Sequence, residues 1–203
     1  MKAVFQPVQV LITDEGLNGL HLHIVNDQPT PLVARLRLAS LRHGETALAE
    51  ASVEIEVAPH ATTRLNAAAV LGRFFDFTYA YRFGPREHDV TLATLHDAAS
   101  GELIGEACHL PDRTLGTPVE LGLGAVLERA PGDGGWTLAL TARRFARFVQ
   151  IVDPHYIAED NFFHLAPGRT RRVRLQARDP QAGVPAGAVR ALNGAQALEY
   201  RGL

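Results

Sequence analysis

The sequence predicts an all-β protein made of two tandem immunoglobulin-like β-sandwich domains. Short runs of residues alternate between apolar and polar with a period of two, which is typical of half-buried strands. Clusters of glycine, proline and aspartate separate these runs, as turns do in a sandwich. The chain has 203 residues, more than one domain commonly holds, and its hydrophobic content of 46% is too high for a disordered chain.

The first half of the chain shows the alternation most clearly. Every second residue of Leu20–Val25 is apolar, and in Val33–Leu38 the arginines Arg35 and Arg37 occupy the opposite face. Residues 75–83 and 90–95 read as a long hairpin, and a short helical turn fits Leu65–Leu71. The predicted strands of this half are Leu20–Val25, Val33–Leu38, Ser52–Val57, Phe75–Phe83, Val90–Leu95 and Leu103–Leu110.

A polar segment bracketed by prolines, Pro111–Pro118, predicts the linker between the domains. We therefore place one sandwich at residues 1–111 and the second at 112–203. The predicted strands of the second half are Val126–Arg129, Trp136–Ala142, Phe145–Val152, Thr170–Gln176 and Val189–Leu192.

Charge and composition argue against several classes of function. A formal net charge of −2 argues against binding to nucleic acid through its phosphates. No run approaches 18 apolar residues, so we predict no membrane span. Cys108 is the only cysteine, which precludes an internal disulfide. The first residues lack the apolar core of a signal peptide, so we expect a cytoplasmic protein if Met1 is the native start.

Two short motifs could bind a ligand. His21 and His23 are two residues apart on one strand face, a metal-compatible spacing, but no third ligand lies nearby in the sequence. Gly122 and Gly124 begin a pattern of the dinucleotide-binding type, but Leu127 occupies the position of its last glycine. We favour solvent-facing imidazoles and a close backbone approach at the glycines, with no metal and no cofactor.

Three carboxylates lie close together in the sequence, at Asp153, Glu159 and Asp160. Paired carboxylates can hydrolyse glycosides when they flank a cleft at about 5–9 Å. Adjacent residues of a strand point to opposite faces, however, and Asp160 with Asn161 suits a turn. We predict no catalytic residue, and the sequence identifies no substrate-binding residue.

Aromatic residues concentrate in the segment Phe75–Phe83, where five of them would share one strand face. Such a row is either a platform for stacking a ligand or a core strand whose end reaches an interface. We favour the core and interface interpretation, and we expect Trp136 to anchor the second core in the same way. The five aromatics are Phe75, Phe77, Tyr79, Tyr81 and Phe83.

One part of the chain resembles a known family. Phe145–Val149 (FARFV), Asp160–Phe163 (DNFF) and Leu165–Gly168 (LAPG) resemble the C-terminal Ig-like domain of the β-mannosidases of glycoside hydrolase family 2. Phe5–Val8 (FQPV) resembles the stretch that leaves the catalytic barrel of that family, and Val25–Asp27 (VND) resembles a strand end of the preceding sandwich. The resemblance implies a structural corner formed by Asp160, Asn161, Phe162, Phe163, Pro167 and Gly168.

The resemblance also implies a function for the chain as part of a larger enzyme. The catalytic glutamates of that family lie on a (β/α)8 barrel, and nothing in this sequence alternates strands and helices as a barrel does. The chain would then be a non-catalytic accessory region that braces the barrel of a retaining β-mannosidase. A free-standing Ig-like module that binds carbohydrate or protein is the alternative.

A barrel interface implies aromatic side chains that the sandwich cores cannot hold. An exposed apolar patch on a monomer usually marks a binding surface. We expect at least two aromatics of a set of five to be substantially exposed, namely Phe5, Phe74, Tyr79, Tyr81 and Phe83.

Overall fold

A computed structural model describes residues 6–81, 84–112, 114, 116–130 and 135–202. The chain divides into two compact units, Met1–Arg113 and Thr114–Leu203, which we call the first and second domains. Both are antiparallel β-sandwiches, so the predicted all-β class is confirmed. No helix among the described residues is long and apolar enough to cross a membrane.

The first domain contains a three-stranded sheet packed on a four-stranded sheet. The strand order is β1-β2-β5 in one sheet and β4-β3-β6-β7 in the other. A helical turn, α1 (Ala67–Leu71), follows β5 as predicted, and the Asn66 side chain caps it by accepting from the Ala68 and Ala69 N–H groups. The strands are β1 (Val8–Asp14), β2 (Leu20–Asn26), β3 (Leu32–Arg42), β4 (Thr46–Val57), β5 (Ala61–Asn66), β6 (Val90–Asp97) and β7 (Leu103–His109).

The core of the first domain follows from the alternation in the sequence. Leu20, Leu22 and Ile24 of β2 are fully buried, while the residues between them are only partly covered. Leu36 of β3 and Leu95 of β6 pack into the same core from the other sheet. Two apolar faces pressed together remove both from water, at roughly 25 cal/mol for each Å² buried.

The second domain is built from eight described strands in two four-stranded sheets. The strand order is β12-β10-β14-β15 in one sheet and β11-β13-β9-β8 in the other. The strands are β8 (Gly124–Arg129), β9 (Trp136–Thr141), β10 (Ala146–Val152), β11 (Tyr156–Ala158), β12 (Phe163–Leu165), β13 (Thr170–Ala177), β14 (Ala186–Arg190) and β15 (Leu198–Arg201).

The core of the second domain lies between these sheets. Leu138 and Leu140 of β9, together with Val173 of the neighbouring strand β13, pack against Val149 of β10 from the other sheet in one buried cluster. Trp136 packs against this cluster while remaining partly exposed, and the Arg129 guanidinium lies 3.8 Å from the centre of its ring. The predicted anchor therefore lies at the margin of the core, where a cation covers its open face.

The strand predicted at residues 75–83 is wrong. The described residues between α1 and β6 form an irregular segment. Strand β6 pairs with β3 and β7 and not with residues 75–83. The Asp76 carboxylate accepts from the N–H groups of Ala80 and Tyr81, which closes a local turn. Tyr79 has a left-handed backbone with φ of 54°, which a strand does not tolerate. Phe83 lies outside the described residues.

A buried asparagine closes the end of the first core. The Asn26 side chain is fully buried, and its Nδ2 donates to the carbonyls of Thr30, Val57 and Ala58 at 2.9–3.1 Å. Its Oδ1 accepts from the Gln28 N–H at 3.1 Å. Asn26 thus satisfies backbone groups on two segments, the loop between β2 and β3 and the end of β4.

Replacing this amide should destabilise the first domain. Asn26→Ala leaves buried carbonyls without donors, so we expect a loss of about 2–3 kcal/mol in the free energy of unfolding. Chemical denaturation followed by circular dichroism measures it. Asn18→Ala, at an exposed position, is the matched control and should change stability by less than about 0.5 kcal/mol. Equal midpoints for the two variants would contradict the role of Asn26.

Candidate functional site

The DNFF corner lies between β11 and β12, against strand β10. The Asn161 Oδ1 accepts from the Ile151 N–H at 2.8 Å, and its Nδ2 donates to the Ile151 carbonyl at 3.0 Å. The side-chain amide therefore pairs with the β10 backbone as a neighbouring strand would, just before β12 begins. This is the backbone-binding role expected of the Asn, exerted on β10 of the sheet.

A second asparagine does the same further back on β10. The Asn193 Oδ1 accepts from the Arg147 N–H at 2.8 Å, and its Nδ2 donates to the Phe145 carbonyl at 2.9 Å. Between these clamps β10 has a bulge, because its register against β12 shifts between Ala146 and Val149. The two amides satisfy backbone groups that an irregular strand cannot pair regularly.

The rest of the corner is held by charge and by a tight turn. Asp160 accepts from the Asn161 N–H at 2.9 Å and pairs with Arg171, whose guanidinium lies 4.2 Å from the centre of the Phe163 ring. Phe163 itself is buried in the core. Gly168, after the partly buried Pro167, has φ of 69° and donates its N–H to the Ala142 carbonyl, a conformation that favours glycine.

The four phenylalanines of the FARFV and DNFF segments divide into two kinds. Phe145 and Phe163 are buried in the core of the second domain. Phe148 and Phe162 are 42% and 60% exposed, and both have left-handed backbones with φ of 48° and 59°. Phe162 and Phe163, adjacent in the chain, therefore face different environments, and Phe148 joins Phe162 on the outside.

His164 lies among these rings. Its ring centre is 4.5 Å from that of Phe148 and 5.4 Å from that of Phe145, and its Nδ1 accepts from the Phe148 N–H at 3.2 Å. Burial, with the nearby positive charge of Arg147, lowers the pKa of His164 below the usual value. A neutral imidazole is what the accepting Nδ1 requires.

The carboxylates considered for catalysis serve the backbone and a tyrosine. Asp153 is buried and accepts from the N–H groups of His155 and Tyr156 and from the Tyr200 hydroxyl, at 2.8–3.0 Å. Burial and the Asp153 charge raise the pKa of Tyr200 well above its usual range. Asp160 is occupied by Arg171, and these contacts are those of structural residues.

The two short motifs have local roles in the structure. His23 shares a hydrogen bond with Thr13 at 3.0 Å, and the His21 Nδ1 lies 3.4 Å from the Glu15 carboxylate. The described residues contain no group of three histidine, cysteine or acidic side chains that could hold a metal.

The glycine pair permits a close approach, as expected. A Cβ at Gly122 would lie 2.8 Å from the Arg143 Cβ, and one at Gly124 would lie 2.5 Å from the Thr141 hydroxyl oxygen. Gly122 also has a positive φ of 61°, so a larger residue would be strained there.

An exposed apolar patch lies on the irregular segment of the first domain. The rings of Phe74 and Tyr81 meet edge to face at 5.4 Å and are 64% and 43% exposed. The Tyr81 hydroxyl donates to the carbonyl of Leu17, whose side chain is also exposed. We call Leu17, Phe74 and Tyr81 the Phe74 patch. At least two of the five aromatics are therefore exposed, as predicted; Phe5 lies outside the described residues.

A buried histidine holds the base of the same segment. His88 is 3% exposed, and its ring stacks on Tyr79 at 5.0 Å and packs against Phe75 and Phe77. Its Nε2 lies 3.2 Å from the Phe77 carbonyl oxygen, which can only accept, so Nε2 carries the proton. The Nδ1 of the neutral ring is then the acceptor for the Tyr79 hydroxyl at 3.1 Å. Burial lowers the pKa of His88 from 6.5 to about 4.

With this geometry established, comparisons with known proteins identify the second domain. Residues 122–191 match the family model for the Ig-fold domain of mannosidases. This stretch is similar to the Ig-fold domain of mannosidases. It contains the FARFV, DNFF and LAPG segments, so the resemblance seen in the sequence is confirmed.

Solved structures share the fold of almost the whole chain. The exo-chitosanase of Amycolatopsis orientalis matches with a TM-score of 0.65 and 15% identity, over 98% of this chain and 27% of that chain. The β-D-mannosidase of Dictyoglomus thermophilum matches with a TM-score of 0.63 and 16% identity, over 95% of this chain and 22% of that chain. This chain thus spans about a quarter of each. No curated protein matches the sequence.

Sequence reasoning missed three residues that organise these sites. Asn193 reaches β10 across 46 positions of sequence, and His88 lies in a segment that was assigned to a turn. Phe148 was named only as part of a motif. The V-N-D match did point to Asn26, but as a family signature and without the buried amide that explains it.

The corner amide should stabilise the second domain. Asn161→Ala removes both bonds to Ile151, so we expect the free energy of unfolding to fall by about 1–3 kcal/mol. Asn161→Asp keeps an acceptor for the Ile151 N–H but loses the donor, and it should also destabilise. Denaturant titration measures both, with the exposed Gln196→Ala as control. A melting curve of Asn161→Ala that overlays the parent would show that the clamp is dispensable.

The buried histidine should make the first domain acid-sensitive. Between pH 6.5 and about 4, His88 is protonated in the unfolded chain but stays neutral in the folded chain. The free energy of unfolding therefore falls as the pH falls through this window. A shift of this size corresponds to about 3 kcal/mol. Unfolding free energies across pH 4–7 should fall less steeply in His88→Gln. Identical slopes in the parent and the variant would contradict the assignment.

Proposed function

We propose that this chain is the non-catalytic C-terminal accessory region of a β-mannosidase-like hydrolase of glycoside hydrolase family 2. The observation that carries the proposal is the mannosidase Ig-fold match of residues 122–191. The first domain then corresponds to the sandwich that precedes the C-terminal one in such enzymes. The parent would cleave terminal β-mannosides by the retaining route with two carboxylates.

The chain's own carboxylates support a non-catalytic role. A retaining pair needs one free nucleophile and one acid of raised pKa on either side of a sugar. Asp153 instead accepts three hydrogen bonds, and Asp160 pairs with Arg171. Both carboxylates are thus engaged by groups of the protein itself, Asp153 by two backbone N–H groups and Tyr200, and Asp160 by Arg171.

The Phe74 patch supports contact with a catalytic barrel domain. Phe74 and Tyr81 stack on each other and remain open to solvent, although a sandwich could bury such rings. The solved relatives are about four times longer than this chain, so comparable proteins contain further parts beside these sandwiches. Uncharged aromatic residues such as Phe74 and Tyr81 are typical of the centre of such an interface.

We place the parent in the cytoplasm, with no nucleic-acid partner. Cys108 is the only cysteine, so the chain forms no internal disulfide, as is usual for proteins of a reducing compartment. The net charge of −2 gives no electrostatic attraction to phosphates.

A free-standing carbohydrate-binding module is the second candidate, and one pocket favours it. Arg42, His43 and Arg86 line the pocket together with Glu87 and Asp89. Arg42 donates only its Nε, to the Glu87 carbonyl, so both the guanidinium and the Glu87 carboxylate can still bind. Sugar hydroxyls donate and accept, which matches neighbouring cations and carboxylates.

The isolated chain should not hydrolyse 4-nitrophenyl β-D-mannopyranoside. Of the described carboxylates considered for catalysis, Asp153 and Asp160 are held by Tyr200 and Arg171, so neither is the free nucleophile that an oxocarbenium-like transition state needs. Release of nitrophenol is followed by absorbance, with Glu159→Gln and Asp160→Asn as matched variants. Turnover in the parent chain that these variants abolish would contradict the accessory role.

Two further observations separate the candidates. A reading frame for a (β/α)8 barrel joined directly to this chain favours the accessory region, and an independent gene favours the module. Calorimetric titration with mannotetraose tests the pocket, with Arg42→Ala as the variant and Arg35→Ala, an exposed arginine of the same strand, as its control. Binding lost only in Arg42→Ala favours the module.

A further inference from the structure

Four exposed apolar side chains surround strand β10 of the second domain. Phe148, Val152, Phe162 and Leu192 are each between 42% and 60% exposed. Val152 alternates with the buried Ile151, so it points away from the core, and the Leu192 N–H donates to the Arg147 carbonyl beside the bulge. We call these four residues the β10 face. Neither the proposed accessory role nor the alternative module accounts for it.

The backbone conformation at Phe148 and Phe162 does not require an aromatic side chain at either position. Left-handed φ values are rare for bulky residues, whereas glycine and asparagine adopt them readily. Glycine or asparagine could form the bulge at residue 148 and the corner at residue 162 without an aromatic ring. Exposed rings add nothing to the core, and strained backbone positions cluster at functional surfaces.

The backbone at both phenylalanines and the ring of Phe148 are held in place before any partner arrives. The Phe162 N–H donates to the Val149 carbonyl at 2.8 Å, and the Phe148 N–H donates to His164 Nδ1. The His164 ring then packs edge to face on Phe148 at 4.5 Å. Preorganised side chains lose little conformational entropy when they bind.

Charges on the same sheet indicate what the face binds. In the ladder, Gln150 lies opposite Arg190, and Val152 lies opposite Ala188, which in turn lies opposite Glu199. Residues directly opposite in a ladder point to one side of the sheet, so Arg190 and Glu199 share the outward face with Val152. Both are exposed, and neither has an ion-pair partner among the described residues.

We propose that the β10 face binds a second copy of this chain in a two-fold symmetric contact. A symmetry axis that crosses the strands between the Gln150 row and the Val152 row packs the β10 faces of two copies together, with Val152 of one copy over Gln150 of the other. The same axis brings Arg190 of one copy beside Glu199 of the other, twice in each dimer, as a self-complementary contact requires. Phe, Val and Leu side chains without polar groups suit a dry protein contact better than a sugar.

Sedimentation velocity over a range of concentrations tests the proposal. We expect a monomer–dimer equilibrium with a dissociation constant of about 1–100 µM, as for a small interface. Phe148→Asn with Phe162→Asn keeps residues that tolerate the left-handed backbone, so the fold survives while the dimer weakens at least about tenfold. Val126→Ser, 61% exposed on β8 of the opposite sheet, is the matched control and leaves association unchanged.

A charge swap tests the geometry independently of the rings. Arg190→Glu and Glu199→Arg should each weaken the dimer, and the double variant should restore it, because the swapped charges meet again across the axis. A monomer at every concentration overturns the proposal, and so does a double variant no better than the singles. Mannotetraose that shifts the NMR signals of Phe148 and Phe162 in a monomeric chain would assign the face to a saccharide and would also overturn it.

Discussion

Strand β10 depends on two side-chain amides that replace a neighbouring strand. Asn193 holds its first residues and Asn161 its last, and the bulge between them turns one phenylalanine inward and the next outward. Because unpaired buried backbone groups are costly, both amides stabilise the second core where it closes around this irregular strand. The buried Phe145 and Phe163 and the exposed Phe148 and Phe162 all follow from that geometry.

The first domain meets the same constraint with one residue. The Asn26 side chain donates to three carbonyls where β2 and β4 end, and no internal disulfide shares the task, since Cys108 is the only cysteine of the chain. An amide can serve here because it both donates and accepts at short range. Both sandwiches are therefore fastened at their strand ends by neutral side chains whose bonds salt and redox state leave unchanged.

Alternation along the chain was enough to predict most of the strands and the all-β class. It works for β2 and β3 because one face of each is buried and the other is not. It failed at 75–83 because the Asp76 side chain closes a turn there and the His88 ring stacks on Tyr79. Neither contact can be predicted from the alternation of aromatic residues. The Asn193 clamp was out of reach for another reason: it joins residues 46 and 48 positions apart.

The family motif combines stability and surface chemistry in neighbouring residues. In DNFF the amide fixes β10, the second phenylalanine fills the core, and the first is turned outward by a left-handed backbone. A change at Asn161 therefore alters folding and the exposed surface together, whereas Phe162→Asn would alter the surface alone. Because the motif separates these effects at adjacent positions, the outward ring can be assigned a binding role on evidence that is independent of the domain's stability.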